Sequence, residues 1–193
     1  MTSIEWCKTA VLIMDYQNDI LDRLPVEKQD ILLDNAIRVL SESRKNGLPV
    51  IYVVVRFREG YPEICHRNKM FSTIKGAKRL IENTPGAEIN SRVAPMPDEV
   101  MVTKRRVGAF STTDLEAILR AKGITSLVLF GVSTSGVVLS TVRWAADMDY
   151  SLVVISDACA DQDDEVHRVL VDKVFLRQAE IMTTQDFLNA ISS

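Results

Sequence analysis

Cysteine and histidine are scarce in this chain. There are three cysteines, at positions 7, 65 and 159, and two histidines, at 66 and 167. An odd, widely scattered cysteine set suits neither a disulfide framework nor a Cys-type zinc site, and it points to a reduced compartment. Basic residues are not in excess either: the formal net charge is −3, whereas a dedicated nucleic-acid binder is normally basic. Long apolar runs are missing too. The longest, Ala10–Met14 and Val50–Val55, are strand-sized and fall far below the roughly 20 residues that a bilayer requires. The opening stretch MTSIEWCKTA has no apolar signal region or cleavage site. These absences leave a cytoplasmic protein with no nucleic-acid or membrane partner as the expectation.

What is present is alternation. With 193 residues, 47% of them hydrophobic, one domain spanning 1–193 around one core is expected. Ala10–Asp15 reads as a buried strand, and Ile31–Ser43 as a helix with an apolar stripe at Leu32, Leu33, Ala36, Ile37 and Leu40. Pro49–Val55 is rich in β-branched residues, as in a parallel sheet covered on both faces. After a long connection the pattern resumes with strands at Val100–Thr103, Ser126–Gly131, Ser151–Asp157 and Glu180–Thr183. Helices at Thr112–Ala121, Ser135–Asp147, Asp161–Phe175 and Gln185–Ile191 follow them in turn. Six βα units predict an α/β fold with a doubly wound, mostly parallel sheet. The connection from Arg56 to Asp98 is punctuated by Gly60, Pro62, Gly76, Pro85, Gly86, Pro95 and Pro97, with a short helix expected at Ile74–Asn83. A connection of that length is usually a lid or binding element.

In such sheets ligands sit beyond the carboxyl ends of the strands, so the polar residues there matter most. The first strand ends at Asp15. A carboxylate directly after an apolar strand is partly desolvated, which raises its pKa and suits acid–base work; the alternative is a helix cap or a loop hydrogen bond. The third ends at Lys104, within the run Lys104-Arg105-Arg106, which also reads as a solvated basic cluster. The fourth runs into GVSTSGVV, residues 131–138. Val132, Ser133, Thr134, Ser135, Gly136 and Val137 could there form a backbone cradle for an anion or oxyanion, or an ordinary capped turn. The basic part of the long connection offers Arg56 and Arg67 to a carboxylate-bearing ligand, or an exposed lid without ligand contact.

Together these segments resemble the isochorismatase-like, or cysteine hydrolase, superfamily. The resemblance runs in register from about Thr9 to the C-terminus, and K-x-R-x-x-A-F-x-x-T-D-L from Lys104 to Leu115 is its most specific part. It implies a Rossmann-like α/β/α fold with a six-stranded sheet, usually in homodimers or homotetramers. It assigns Asp15 as the catalytic acid–base group and Lys104 as its electrostatic partner, and it implies a cis peptide at Val132–Ser133. The superfamily's third residue is a nucleophilic cysteine in G-V-x-T-x-x-C-V; this chain has Val137 there. One branch binds zinc through a D-x-H-x-x-H-type motif after the second strand. Nothing of that kind follows Val55, so neither metal nor cofactor is expected.

Valine cannot act as the thiolate that a helix N-terminus would activate. The isochorismatases proper also lack the cysteine. They protonate a vinyl ether with the aspartate while water adds to the resulting cation, chemistry that needs an acid but no protein nucleophile. The expectation is therefore a cysteine-independent hydrolase of a small anionic metabolite. The competing readings are a silent small-molecule-binding or scaffold protein, and a C–N amidase in which Ser135 or Cys159 replaces the nucleophile. A lone cysteine is otherwise a small buried hydrophobe.

Overall fold

The computed structural model describes residues 4–192. Six strands form one sheet: Thr9–Met14 (β1), Val50–Val55 (β2), Val100–Lys104 (β3), Ser126–Gly131 (β4), Ser151–Ile155 (β5) and Glu180–Met182 (β6). Their spatial order is β3-β2-β1-β4-β5-β6, and every pairing is parallel. Every residue of β1, β2 and β4 is buried. That is why these segments read as continuous apolar runs rather than alternating ones. The chain builds outward from β1 to β3, then returns to add β4 on the other flank of β1. This reversal opens a crevice above the carboxyl ends of β1 and β4, where α/β sheets hold ligands.

The helices are Asn18–Leu21 (α1), Val26–Lys45 (α2), Lys69–Gly76 (α3), Leu115–Ala121 (α4), Leu139–Asp147 (α5), Asp164–Val169 (α6) and Thr184–Ile191 (α7). Helix α4 starts at Leu115 and not at the expected Thr112, whose backbone is left-handed, and α5 starts at Leu139 and not at Ser135. Three more depart from the sequence expectation for identifiable reasons. Helix α2 starts five residues before Ile31, directly after Pro25, which sits at its N-cap; Val26 and Ile31 are exposed, so the apolar stripe gives no hint of this first turn. Helix α3 begins at Lys69 because the Asn68 side chain accepts the Phe71 N–H. It ends before the expected Ile74–Asn83 span is complete, because Lys78, Leu80 and Asn83 take left-handed backbone conformations. The expected Asp161–Phe175 helix starts at Asp164, capped by the Asp163 carboxylate, which accepts the Glu165 and Val166 N–H groups.

The long connection is not a loose lid. Phe57, Tyr61, Phe71 and Leu80 pack with Val55 into a second small core, with the Phe57 and Phe71 ring centroids 5.4 Å apart. Gln17 ties this region to the sheet. Its amide nitrogen donates to the carbonyls of Val55 (2.9 Å) and Ala87 (2.7 Å), while its oxygen accepts the Val55 N–H at 2.8 Å. No helix among the described residues is long and apolar enough to cross a membrane.

Candidate active site

At the carboxyl end of β1 the chain turns at Asp15, whose φ of 59° lies in the left-handed region. A residue other than glycine adopts this conformation at a cost, and such residues cluster at functional sites. The turn leaves the carboxylate buried beneath the crevice. From β3, two strands away, Lys104 reaches the same point: its Nζ donates to Asp15 Oδ2 at 2.8 Å and to the Arg106 carbonyl at 3.2 Å. Lys104 is 2% exposed, so it is not part of a solvated cluster, although Arg105 and Arg106 beside it remain half-buried. Burial pushes the Asp15 carboxyl above the usual aspartate range, and the Lys104 ammonium opposes but does not cancel that shift. Asp15 Oδ1 is buried with no hydrogen-bond partner. A buried acceptor left open in this way costs stability and leaves a lone pair or a proton for whatever enters the crevice.

The crevice is a cavity of about 630 Å³ lined by both members of this pair. The end of β4 supplies its opposite wall through Val132, Ser133, Ser135, Gly136 and Val137. The Val132–Ser133 peptide is cis. From Thr134 to Val138 the backbone makes a π-type turn, closed by the Val138 N–H donating to the Ser133 carbonyl at 3.3 Å, and only then enters α5. Such turns are rare and frequent at functional sites. The expected cradle of open N–H groups is largely occupied. Thr134 donates to the Ala160 carbonyl (2.8 Å), Ser135 to the Asp161 carboxylate (2.7 Å) and Gly136 to the Ser133 carbonyl (3.1 Å). Thr134 is buried and shares a 2.8 Å hydrogen bond between its hydroxyl and His167 Nδ1. It supports the turn from behind instead of lining the cavity.

None of the three cysteines lines the cavity. Cys7 and Cys65 are exposed. Cys159 is buried, and burial pushes its thiol up to about 12, so it holds its proton and packs as a small hydrophobe. Arg56 and Arg67 do not line the cavity either. Arg56 turns to Glu88 (3.1 Å) and the Ala87 carbonyl, and Arg67 is exposed. The arginines that do line it are Arg23, after α1, and Arg79, after α3, together with the carboxylates Asp19 and Asp161. Asp19 stands four residues after Asp15. Arg23, Arg79 and Asp161 sit in irregular backbone, where no periodicity marks a direction.

The Isochorismatase domain model matches residues 9–186. The chain belongs to the isochorismatase family. An uncharacterized isochorismatase family protein, YwoC of Bacillus subtilis (strain 168), is 31% identical over 191 residues, covering 98% of this chain and 97% of the relative. A probable inactive nicotinamidase of Arabidopsis thaliana is 33% identical over 168 residues, covering 84% and 85%. Among solved structures, a cysteine hydrolase from Pseudomonas syringae pv. phaseolicola 1448A superimposes with a TM-score of 0.89 at 21% identity, covering 100% of this chain and 99% of the other. At that identity the likeness speaks for the isochorismatase fold alone. The site's chemistry has to come from this chain's own residues.

Proposed function

We propose that this isochorismatase-family protein hydrolyses a small anionic metabolite with Asp15 as general acid, Lys104 as electrostatic partner and water as nucleophile. The observation that carries this reading is the buried Asp15–Lys104 pair lining a cavity from which every cysteine is absent. A carboxyl whose pKa is raised by burial keeps its proton to higher pH and can deliver it to a substrate. The neighbouring ammonium then stabilises the carboxylate left behind, in a setting where water is scarce. Val137, at the position the resemblance gives to the nucleophile, is buried and faces the cavity with an inert side chain. Val137 offers no nucleophile, which supports direct attack by water.

A screen of vinyl ethers and small amides bearing a carboxylate tests the reading, run on wild type and variants together. Asp15→Asn should lose about 10²–10⁴-fold in turnover, the usual worth of a positioned acid. Ser135→Ala and Cys159→Ala should stay within a few-fold. Abolition of turnover by Ser135→Ala would instead support the substitute-nucleophile amidase, since the exposed Ser135 does line the cavity. The resemblance to a probable inactive nicotinamidase favours one further reading, a silent binding protein. That reading takes over if no Asp15-dependent turnover appears while a small anion still protects the fold. Ligand at a hundred times its Kd adds about 2.7 kcal/mol of protection.

A further inference from the structure

We infer that Arg23 is the residue that reads the anionic end of the ligand, and that the ligand is a small monocarboxylate with an apolar body. The inference rests on taking the crevice as the substrate site. It begins with the charges that line the cavity: Asp15, Asp19, Asp161, Arg23, Arg79 and Lys104. Lys104 is taken by Asp15 at 2.8 Å. Arg79 is taken by Asp19: its Nε lies 3.5 Å from the carboxylate and its Nη2 donates to the Asp19 carbonyl. Asp161 spends its carboxylate on backbone N–H groups, those of Ser135 (2.7 Å) and Asp163 (3.4 Å). Arg23 is the cation left over. Its one side-chain hydrogen bond among the described residues goes from Nη2 to the Gln162 side-chain oxygen at 2.9 Å, and its guanidinium enters no ion pair there.

A neutral amide oxygen orients a guanidinium without compensating its charge. The remaining N–H donors of the fork stay open on a planar group suited to bidentate carboxylate binding. Both anchors of this arrangement are held. The Arg23 N–H donates to the Ile20 carbonyl at 3.2 Å, and the next residue, Leu24, is buried and bonded back to Leu21. Gln162 follows Asp161, whose carbonyl accepts the Lys28 ammonium at 2.7 Å while its carboxylate grips the π-type turn. The arginine is exposed, whereas Asp15 and Lys104 are buried. The cavity therefore carries an exposed cation and a buried acid–lysine pair. The same cavity is lined by Ile20, Leu24, Met70, Phe71, Ile74 and Val107, which favour a hydrocarbon body.

The test reads binding directly, so that it does not depend on turnover. Butyrate, cyclohexanecarboxylate and benzoate are titrated by calorimetry or NMR against wild type, each beside the alcohol made by reducing its carboxylate. Wild type should prefer the carboxylates. Arg23→Gln should weaken them by about 10- to 100-fold, the worth of a charge-assisted hydrogen bond, and leave the alcohols unchanged. Arg23→Lys should recover part of the loss, and Arg79→Gln should keep the preference for carboxylate over alcohol. Carboxylate binding unchanged in Arg23→Gln, a loss confined to Arg79→Gln, or no carboxylate binding by wild type would each overturn the inference. Because Arg23 is exposed, the Arg23 variants should fold, and a thermal melt checks Arg79→Gln. If Asp15→Asn keeps full turnover while Arg23→Gln still loses the carboxylates, the catalytic reading fails and this one stands.

Discussion

Asp15 and Lys104 illustrate at the residue scale what burial does to charge. Removing two ions from water is repaid only by close mutual contact and further hydrogen bonds, and the 2.8 Å contact and the Arg106 carbonyl meet that condition for Lys104. Asp15, with one open oxygen, is met only in part. Lys104→Met should therefore destabilise the protein by about 3–5 kcal/mol, the usual cost of breaking a buried pair, measured by urea unfolding at neutral pH. The loss should shrink in acid, where the orphaned carboxyl is protonated. The raised Asp15 pKa has its own sign. The native state holds this proton more tightly than the unfolded chain, so the stability it contributes is full below the ordinary aspartate value of about 3.9. That stability is lost as pH rises through the raised native value. Turnover that depends on the Asp15 proton should fall with rising pH in the same window, and a pH–rate profile checks it.

Two glycines carry the site at the scale of elements. A Cβ on Gly131, the last residue of β4, would stand 2.7 Å from the Met14 carbonyl oxygen and 2.9 Å from Met14 Cβ. It would push β4 off β1 at the point where the crevice opens. A Cβ on Gly86 would lie 2.4 Å from Asp19 Oδ1, and that carboxylate cannot swing away without releasing the Leu80 N–H (2.7 Å) and Arg79. Gly131→Ala and Gly86→Ala should each cost about 1–3 kcal/mol, as overpacking does, read as a lower urea midpoint. The π-type turn has a pH-sensitive support. Burial lowers the His167 pKa, so this histidine favours its neutral form beside Thr134. A depressed native pKa contributes stability that is present above the ordinary histidine value of about 6.5 and is lost as pH falls through the native value. His167→Gln should flatten that part of the stability–pH curve.

For the whole molecule, the cavity is an assembly of segments that meet only on folding: the ends of β1, β3 and β4, the face of α3 and the turns after α1 and β5. A thiol introduced by Val137→Cys should sit in this shared space. It should be alkylated by iodoacetamide in the native state, whereas Cys159, its thiol held protonated by burial, should react only after unfolding. Mass spectrometry of the modified peptides distinguishes the two. The exchange conserves volume closely enough to cost less than about 1.5 kcal/mol, so a failure of labelling would mean that reagent cannot reach position 137 through the cavity.

The sequence by itself determined the strands of the sheet but not their order. Residues 10–14, 50–55 and 127–131 are buried, and a strand covered on both faces reads as a near-continuous apolar run. It also determined that Asp15 and Lys104 stand at strand ends, and that residue 137 is a valine. The tertiary structure alone decided which arginines line the cavity and which of those is left without an ion pair. Arg56 is drawn off by Glu88 and Arg79 by Asp19, while Arg23 is left with an amide. Each of these pairings joins residues distant along the chain, and an arginine's direction follows its partner, which no local pattern encodes. The cradle was decided in the same way. Residues 134–136 look open in sequence, but Ala160 and Asp161 close Thr134 and Ser135 from a different strand end, because a buried N–H takes the nearest acceptor that the fold brings to it.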